Sequence, residues 1–338
     1  MTLYGGIDLH SNNVLISLID ESDQLVSETR LPNEIDLIQN HLHPFKNDLT
    51  ALVVESTYNW YWLVDGLEDQ GYDVRLANTV AIKQYEGIKH TNDASDARYL
   101  AQLLRLNILP EGHINPREQR AIRDLLRRRS LLVRQRVTQH LSLQSLIARH
   151  SGSRLSSLKI KQLTLDSINE YLTQPAALTS ARIFLLQMQS LTSAIKEIES
   201  QVGKHYLQTE DYRIVSSVPG IGPIIGQSIL LETGNINRFS RVGNYLSYAR
   251  CVPSERLSNG KIKGRGNRKN GNRYLASSFV EAAHYATIWE PTIKRYYQRK
   301  LTKVHKMVAK KTVANKLARA VYHMLTHREV FDVHRAFQ

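Results

Sequence analysis

The sequence predicts a mixed α/β domain at the N-terminus followed by a long, mostly helical body. Three observations predict it. Five short apolar runs rich in β-branched and leucine residues fall within residues 1–80. From 116 to 206 the apolar spacing turns helical almost without interruption. From 213 onward helical patterns resume around a Gly-x-Gly turn and continue to the C-terminus.

Strands are expected at 3–9, 13–19, 25–31, 51–55 and 74–77, and helices at 34–41, 60–70 and 93–106. Three consecutive strands, then strands alternating with helices, describe a mixed sheet covered by helices. Pro116 is placed to start a helix. Ile122, Leu125, Leu126, Leu132, Val133, Val137 and Leu141 then form an apolar stripe with arginines around it, until a polar break at 150–157. Phe184, Met188, Leu191, Ile195, Ile198 and Val202 repeat at steps of 4, 3, 4, 3 and 4. That heptad seam reads as a coiled-coil arm that self-associates, or as one half of a helical hairpin packed within the chain.

The third unit begins with Val218-Pro219-Gly220-Ile221-Gly222-Pro223-Ile224-Ile225-Gly226. A tight Gly-x-Gly turn between helices offers backbone N–H groups to a phosphate, so Gly220 and Gly222 resemble a helix-hairpin-helix clamp on DNA backbone. A plain helical hairpin needs the same glycines. The segment 253–273 is too rich in Gly, Asn, Lys and Arg to be core, and reads as a flexible strap over nucleic acid. Lys261, Lys263, Arg265, Arg268, Lys269 and Arg273 are its candidate phosphate contacts. Cation-rich helices with Val313, Leu317, Val321 and Met324 on one face finish the chain. The expected domains are 1–115, 116–208 and 209–338.

A formal net charge of +14 hides a split. Residues 1–110 hold 7 Lys and Arg against 16 Asp and Glu, whereas residues 111–338 hold 38 against 15. Long-range attraction for a polyanion therefore belongs to the last two thirds. A single cysteine, Cys251, excludes a disulfide framework within the chain and any cysteine-based zinc finger. No signal segment or membrane-spanning run is recognisable, which predicts a cytoplasmic protein without membrane partners.

Four carboxylates carry the chemistry. Asp8 follows the apolar run Leu3-Tyr4-Gly5-Gly6-Ile7, and Glu55 follows Ala51-Leu52-Val53-Val54. Asp93 and Asp96 open a helical pattern, with a spacing that puts both on one face. A carboxylate after a strand is often a turn former, and acids in a first helical turn often serve only the helix dipole. Asp8 and Glu55, however, interrupt the most hydrophobic strands of the domain, where an uncompensated charge is costly. Acids converging at strand ends suit hard cations, and a two-metal site ~3.5–4 Å across clamps both oxygens of a phosphodiester exchange.

Gly-Ile-Asp-Leu-His at 6–10, Val-Val-Glu at 53–55 and Asn-Asp-Ala-Ser-Asp-Ala at 92–97 resemble the RuvC-like (ribonuclease H-like) domain of the DEDD insertion-sequence transposases, relatives of the Piv-type invertase. The Pro-Gly-Ile-Gly-Pro turn, the Pro-x-x-x-x-Ser segment at 253–258 and Lys-x-Gly-Asn-Arg-Tyr-Leu at 269–275 resemble the C-terminal domain of the same family. The resemblance covers nearly the whole chain in the right order. It implies a DNA transposase or site-specific recombinase that forms a covalent phosphoserine link to DNA. Asp8, Glu55, Asp93 and Asp96 would hold Mg²⁺, with Mn²⁺ as a substitute, and Ser258 would be the nucleophile in a site composed between subunits. Donor and target DNA, a structured bridge RNA, and a homodimer assembling to a tetramer on DNA are the implied partners. In the family pattern the serine directly precedes glycine; here Asn259 intervenes, and Ser254 is the rival. Ser258 is favoured because it lies five residues after Pro253.

Two other readings use the same residues. A metal-dependent nuclease acting on branched DNA would share the acids but attack with water. A non-catalytic nucleic-acid-binding protein would need only the basic body.

Overall fold

The computed structural model describes residues 1–82, 93–206, 209–252, 255–265 and 270–337. The chain divides into two compact units, Met1–Asn115 and Pro116–Gln338.

The first unit is a sheet with helices. Its elements are β1 (Leu3–Leu9), β2 (Asn13–Asp20), β3 (Leu25–Pro32), α1 (Ile35–Leu42), β4 (Leu49–Glu55), α2 (Tyr61–Asp69), β5 (Val74–Ala77), α3 (Asp93–Arg105) and the two-residue β6 (Glu111–Gly112). The strand order is β3-β2-β1-β4-β5-β6. β1 pairs antiparallel with β2 and parallel with β4, which is itself parallel to β5. Every strand expected from sequence forms, along with the short closing strand β6 that no local pattern announces. Hairpins join β1 to β2 and β2 to β3 because their connections are short, whereas the parallel pairs require the crossovers through α1 and α2.

Alternation along the strands divides the sheet into two buried faces. Ile7, Leu9, Leu52 and Val54 pack with Ile38, Leu42, Leu63 and Leu67 of α1 and α2. Val53 and Ala77 face the other way, against Leu100 of α3. Gly6 makes that second face possible: a Cβ there would lie 1.9 Å from the Ala97 carbonyl oxygen and 2.8 Å from the Ala101 nitrogen. Glycine opposite two alanines lets α3 lie directly on β1. Tethers from α3 to the β2–β3 turn hold it there, with Arg98 donating to the Asp23 carbonyl at 2.8 Å and Gln102 to the Asp23 carboxylate at 2.8 Å.

The second unit is mostly helical. It contains α4 (Arg117–Ser151), α5 (Ser157–Gln162), α6 (Pro175–Tyr206), α7 (Glu210–Ser216), α8 (Pro223–Thr233), α9 (Val242–Tyr248), a hairpin of β7 (Glu255–Ser258) and β8 (Lys261–Arg265), α10 (Arg273–Trp289), α11 (Pro291–Leu301), α12 (Lys306–His327) and α13 (Val333–Phe337). The break expected near 150 is a left-handed Gly152 (φ 70°) that caps α4.

The heptad seam is filled from within. Leu126 of α4 packs with Ile198 and Val202 of α6, while Leu143 and Ile147 pack with Ala181 and Leu185. The helices are therefore antiparallel partners, as in the hairpin alternative. The expected α4 stripe is displaced: Val137 and Leu141 are about half exposed, whereas Arg120 and Arg123 are buried. Around α10 and α12, a second core gathers Tyr245, Phe279, Leu317 and Val321. Among the described residues, no helix is long and apolar enough to cross a membrane.

Candidate active site

Glu55 ends β4, and Asp8 is the last residue but one of the neighbouring parallel strand β1. The β1–β4 register pairs Gly6 with Val53 and Ile7 with Val54, so Asp8 and Glu55 come next, side by side at the carboxyl ends of the strands. Ligand sites of open α/β sheets favour that edge. Asp8 is almost fully buried. α3, seated on Gly6, brings Asp96 to the same place. Asp8, Glu55 and Asp96 line a cavity of about 350 Å³, with Thr79, Ile82, Tyr99 and Leu100 as its walls.

Crowding perturbs these acids. Burial, a hydrogen bond with Asp8 and the charges of Asp8 and Asp96 raise the Glu55 carboxyl from 4.5 to about 7. Burial and the charges of Asp8 and Asp93 also push Asp96 upward. Asp93, the more exposed member, moves the other way because Arg30 donates to it at 2.6 Å. Carboxylates that resist ionising together form an anionic hollow that a divalent cation relieves.

Two further residues complete the cluster. His10 Nε2 lies 3.3 Å from Asp8 Oδ2 and 3.2 Å from Asp93 Oδ2, yet it makes a well-directed hydrogen bond to neither. Asp8, His10 and Asp93 together offer ligand atoms within 4.8 Å of one another. The His10 carbonyl accepts hydrogen bonds from Asn33 and Asn59, at 3.1 and 3.0 Å, which fixes the loop after β1. Arg30 reaches Asp93 from β3. Neither His10 nor Arg30 was selected from sequence as a site residue. The Asp-x-His spacing at a strand end is a usable signal for His10, whereas nothing local marks Arg30. An oxygen-rich donor set with one imidazole and an orphaned nitrogen fits a hard divalent cation.

Ser258 lies at the end of β7, where it is exposed and pairs with Lys261 of β8. Asn259 and Gly260 between them have φ values of 50° and 71°. Two successive left-handed residues of the Asn-Gly type make the tight turn that matches strand twist. The strap expected to be flexible is, in its described part, a two-stranded hairpin. The Asn-Gly pair that sets its register is legible in the sequence.

The feet of the hairpin are held to the helical core. Asn315 donates to the Cys251 carbonyl at 3.0 Å, and Arg250 donates to the Gly271 carbonyl at 2.9 Å. Asn272 caps α10 through its side-chain oxygen and donates its amide to the buried Glu232 at 2.7 Å. Arg127 of α4 grips the same carboxylate with two hydrogen bonds of 2.6 and 2.7 Å.

Lys261 and Lys263 are exposed on β8. Arg273 is exposed at the start of α10, with its guanidinium 4.8 Å from the centre of the Tyr274 ring. Arg265 belongs to β8, but its side chain lies outside the described residues, as do Ser254, Arg268 and Lys269. Gly222 caps α8. Gly220 is buried with φ 92°, and a Cβ there would lie 2.5 Å from the Ala286 nitrogen of α10. Close packing on α10 is thus reason enough for that glycine. Tyr296 is core-packed as well, edge-on to Phe337 at 5.3 Å.

Residues 5–151 match the model of the DEDD transposases of the IS110 type. Residues 212–298 match "Transposase IS116/IS110/IS902 family". The chain is 24% identical to a "Probable family 20 transposase" of Pseudomonas aeruginosa over 66% of its own length and 67% of that protein. It is 24% identical to the transposase for insertion sequence element IS1328 of Yersinia enterocolitica over 83% of this chain and 85% of the relative. Identity to the transposase for IS1111A of Coxiella burnetii is 22%, over 81% and 76% respectively.

Proposed function

For a chain that carries the DEDD and the IS116/IS110/IS902 transposase domains, we propose a metal-dependent, cytoplasmic recombinase that moves its insertion sequence through a phosphoserine intermediate on Ser258. The observation that carries the reading is the acid cluster: Asp8, Glu55 and Asp96 share one hollow, and Glu55 is raised to about 7 by burial and by that company. The strand order β3-β2-β1-β4-β5 supports a ribonuclease H-like assignment for this unit.

Asp8, Glu55, Asp93 and Asp96, with His10, would hold Mg²⁺ or Mn²⁺. The ion, when bound, supplies positive charge against the phosphate and lowers the proton affinity of an attacking hydroxyl. The protein's own residues do the rest. Arg30 holds Asp93 ionised, and the Asn259–Gly260 turn presents the Ser258 hydroxyl to solvent. In the reaction the Ser258 hydroxyl gives up its proton and its oxygen bonds to phosphorus as the bond to the deoxyribose oxygen breaks; that leaving oxygen takes up a proton, so one phosphate ester replaces another. The strand can later be rejoined without an outside energy source. Pairing of a bridge RNA with donor and target DNA would place sequence choice outside the protein.

A suicide DNA substrate tests the chemistry. An adduct on Ser258, lost in Ser258→Ala and retained in Ser254→Ala, is the expected result. Cleavage without an adduct would mean attack by water and a simple nuclease. Asp8→Ala should abolish strand exchange, and its leaving activity unchanged would reduce the protein to a nucleic-acid binder. Mixing Ser258→Ala with Asp8→Ala subunits should restore exchange if the site is composed between subunits. Sequencing RNA that co-purifies with the protein tests for a guide.

A further inference from the structure

Residues 291–328 contain eleven Lys and Arg and no Asp or Glu. Among the described residues only Arg328 of these has carboxylate partners, Glu210 and Asp211. Among the described residues, the other ten cations have no carboxylate oxygen within 4.0 Å. Elsewhere in this unit basic side chains do find acids, as Arg127 finds Glu232 and Arg129 finds Glu199.

Four of the ten converge. The Arg299 guanidinium, the Lys300 ammonium and the Lys316 ammonium lie 5.6, 5.4 and 5.2 Å from the centre of one ring, Tyr296. Lys316 is fixed in place by donating to the Ala336 carbonyl at 2.9 Å. Burial, with the charges of Arg319, Lys300 and Arg299, lowers its proton affinity, and no acid offsets them. Arg319 and Arg335 act in the same direction on His323, one turn further along α12. Like charges gathered around an aromatic ring form a positive field. Glu329 and Asp332 line the cavity beside Lys316 and Arg319, but Glu329 is engaged by Arg335 and neither comes within 4.0 Å of the four cations.

We propose that this face of α11 and α12, centred on Arg299, Lys300, Lys316 and Arg319, is a binding track for the phosphodiester backbone of duplex DNA. None of its residues belongs to the acid cluster or to the hairpin that carries Ser258. Cations carried on two packed helices around one buried ring suit a lattice of charges at constant spacing, as a duplex provides, better than a fluid headgroup surface. The inference rests on the reading of the protein as a DNA-acting transposase. It assigns the track a positioning role, since backbone contacts set register without reading sequence.

The test is the salt dependence of binding, measured by anisotropy of a labelled DNA duplex with the full-length protein. Each phosphate neutralised adds about 0.9 to the slope of log K against log salt. Arg299→Gln/Lys300→Gln/Arg319→Gln should therefore lower the slope by about 2.7. Lys316 is left intact because it also ties α12 to α13. The charge-preserving Arg299→Lys/Arg319→Lys variant should keep the wild-type slope, which separates lost charge from lost folding. An unchanged slope in the triple variant overturns the assignment. So does a loss seen only with an RNA duplex, or only with phosphatidylserine vesicles, to which the exposed Leu301, Val304, Met307 and Val308 beside the track would offer an apolar edge. Asp8→Asn should abolish cleavage and leave the slope untouched. If wild-type protein binds DNA with a steep slope but never cleaves it, the transposase reading fails and the track stands.

Discussion

Gly6→Ala tests how the acids are brought together. The new methyl would meet the Ala97 carbonyl oxygen at 1.9 Å and the Ala101 nitrogen at 2.8 Å. Both obstacles are helix backbone and cannot rotate away. Ordinary contact begins near ~3.5 Å, so α3 must retreat by roughly 1.5 Å. Its C-terminal half is tethered to the β2–β3 turn through Arg98 and Gln102, so the displacement falls largely on the end that bears Asp93 and Asp96. Overpacking of this kind costs about 1–3 kcal/mol. A misplacement near ~1 Å in a site costs on the order of 10²-fold in rate. The readouts are urea denaturation and single-turnover strand cleavage. Gly5→Ala is the control, because its methyl would meet only the ends of leucine side chains, Leu52 at 2.3 Å and Leu18 at 3.0 Å, on the opposite face. It should lose stability but much less activity. Equal cleavage by wild type and Gly6→Ala, or equal loss in both variants, would refute the view that α3 seated on glycine assembles the site.

Glu55 gives a pH signature. Its folded-state proton affinity is raised from 4.5 to about 7, so the folded protein binds this proton more tightly than the unfolded chain. Metal-free protein should therefore lose stability as pH climbs through that window and level off above it. The difference in Tm between wild type and Glu55→Gln isolates this part, and Mg²⁺ should recover it above the window. Arg127→Met leaves the buried Glu232 carboxylate with Asn272 alone and should cost ~3 kcal/mol by urea denaturation, most of it regained in Arg127→Met/Glu232→Met. Gly260→Val puts a β-branched residue at φ 71°, a change worth about 1–2 kcal/mol. It should open the hairpin and sharply reduce the Ser258 adduct while Asp8-dependent metal binding, followed by calorimetry, stays as in wild type.

Much of the first unit was legible because strands and helices announce themselves by short-range periodicity. Asp8 and Glu55 stood out for the same reason, as charges that break apolar runs. The partner of the α6 seam was not legible: a heptad stripe states that a face must be covered, and either a second chain or α4 meets that need. The α4 stripe was misplaced because the helix exchanges neighbours along its length, from α6 and α8 near Leu126 to α5 and α6 near Leu143, so its buried face drifts. The 253–273 segment reads as a strap by composition, although its Asn-Gly pair already contained the turn of a hairpin.

From its residues alone this chain declared its building blocks: a sheet-forming acidic head, a helical basic body, and carboxylates too costly to stand in strands without a purpose. Those features depend on neighbours a few residues apart. Folding alone decided that β1 and β4 lie in parallel register, that Gly6 lets α3 carry Asp96 to Asp8 and Glu55, that His10 and Arg30 join them, and that three cations of α11 and α12 meet around Tyr296. Such meetings depend on pairing and packing between segments tens of residues apart, where the shape of the whole core selects among arrangements that local propensity leaves equal.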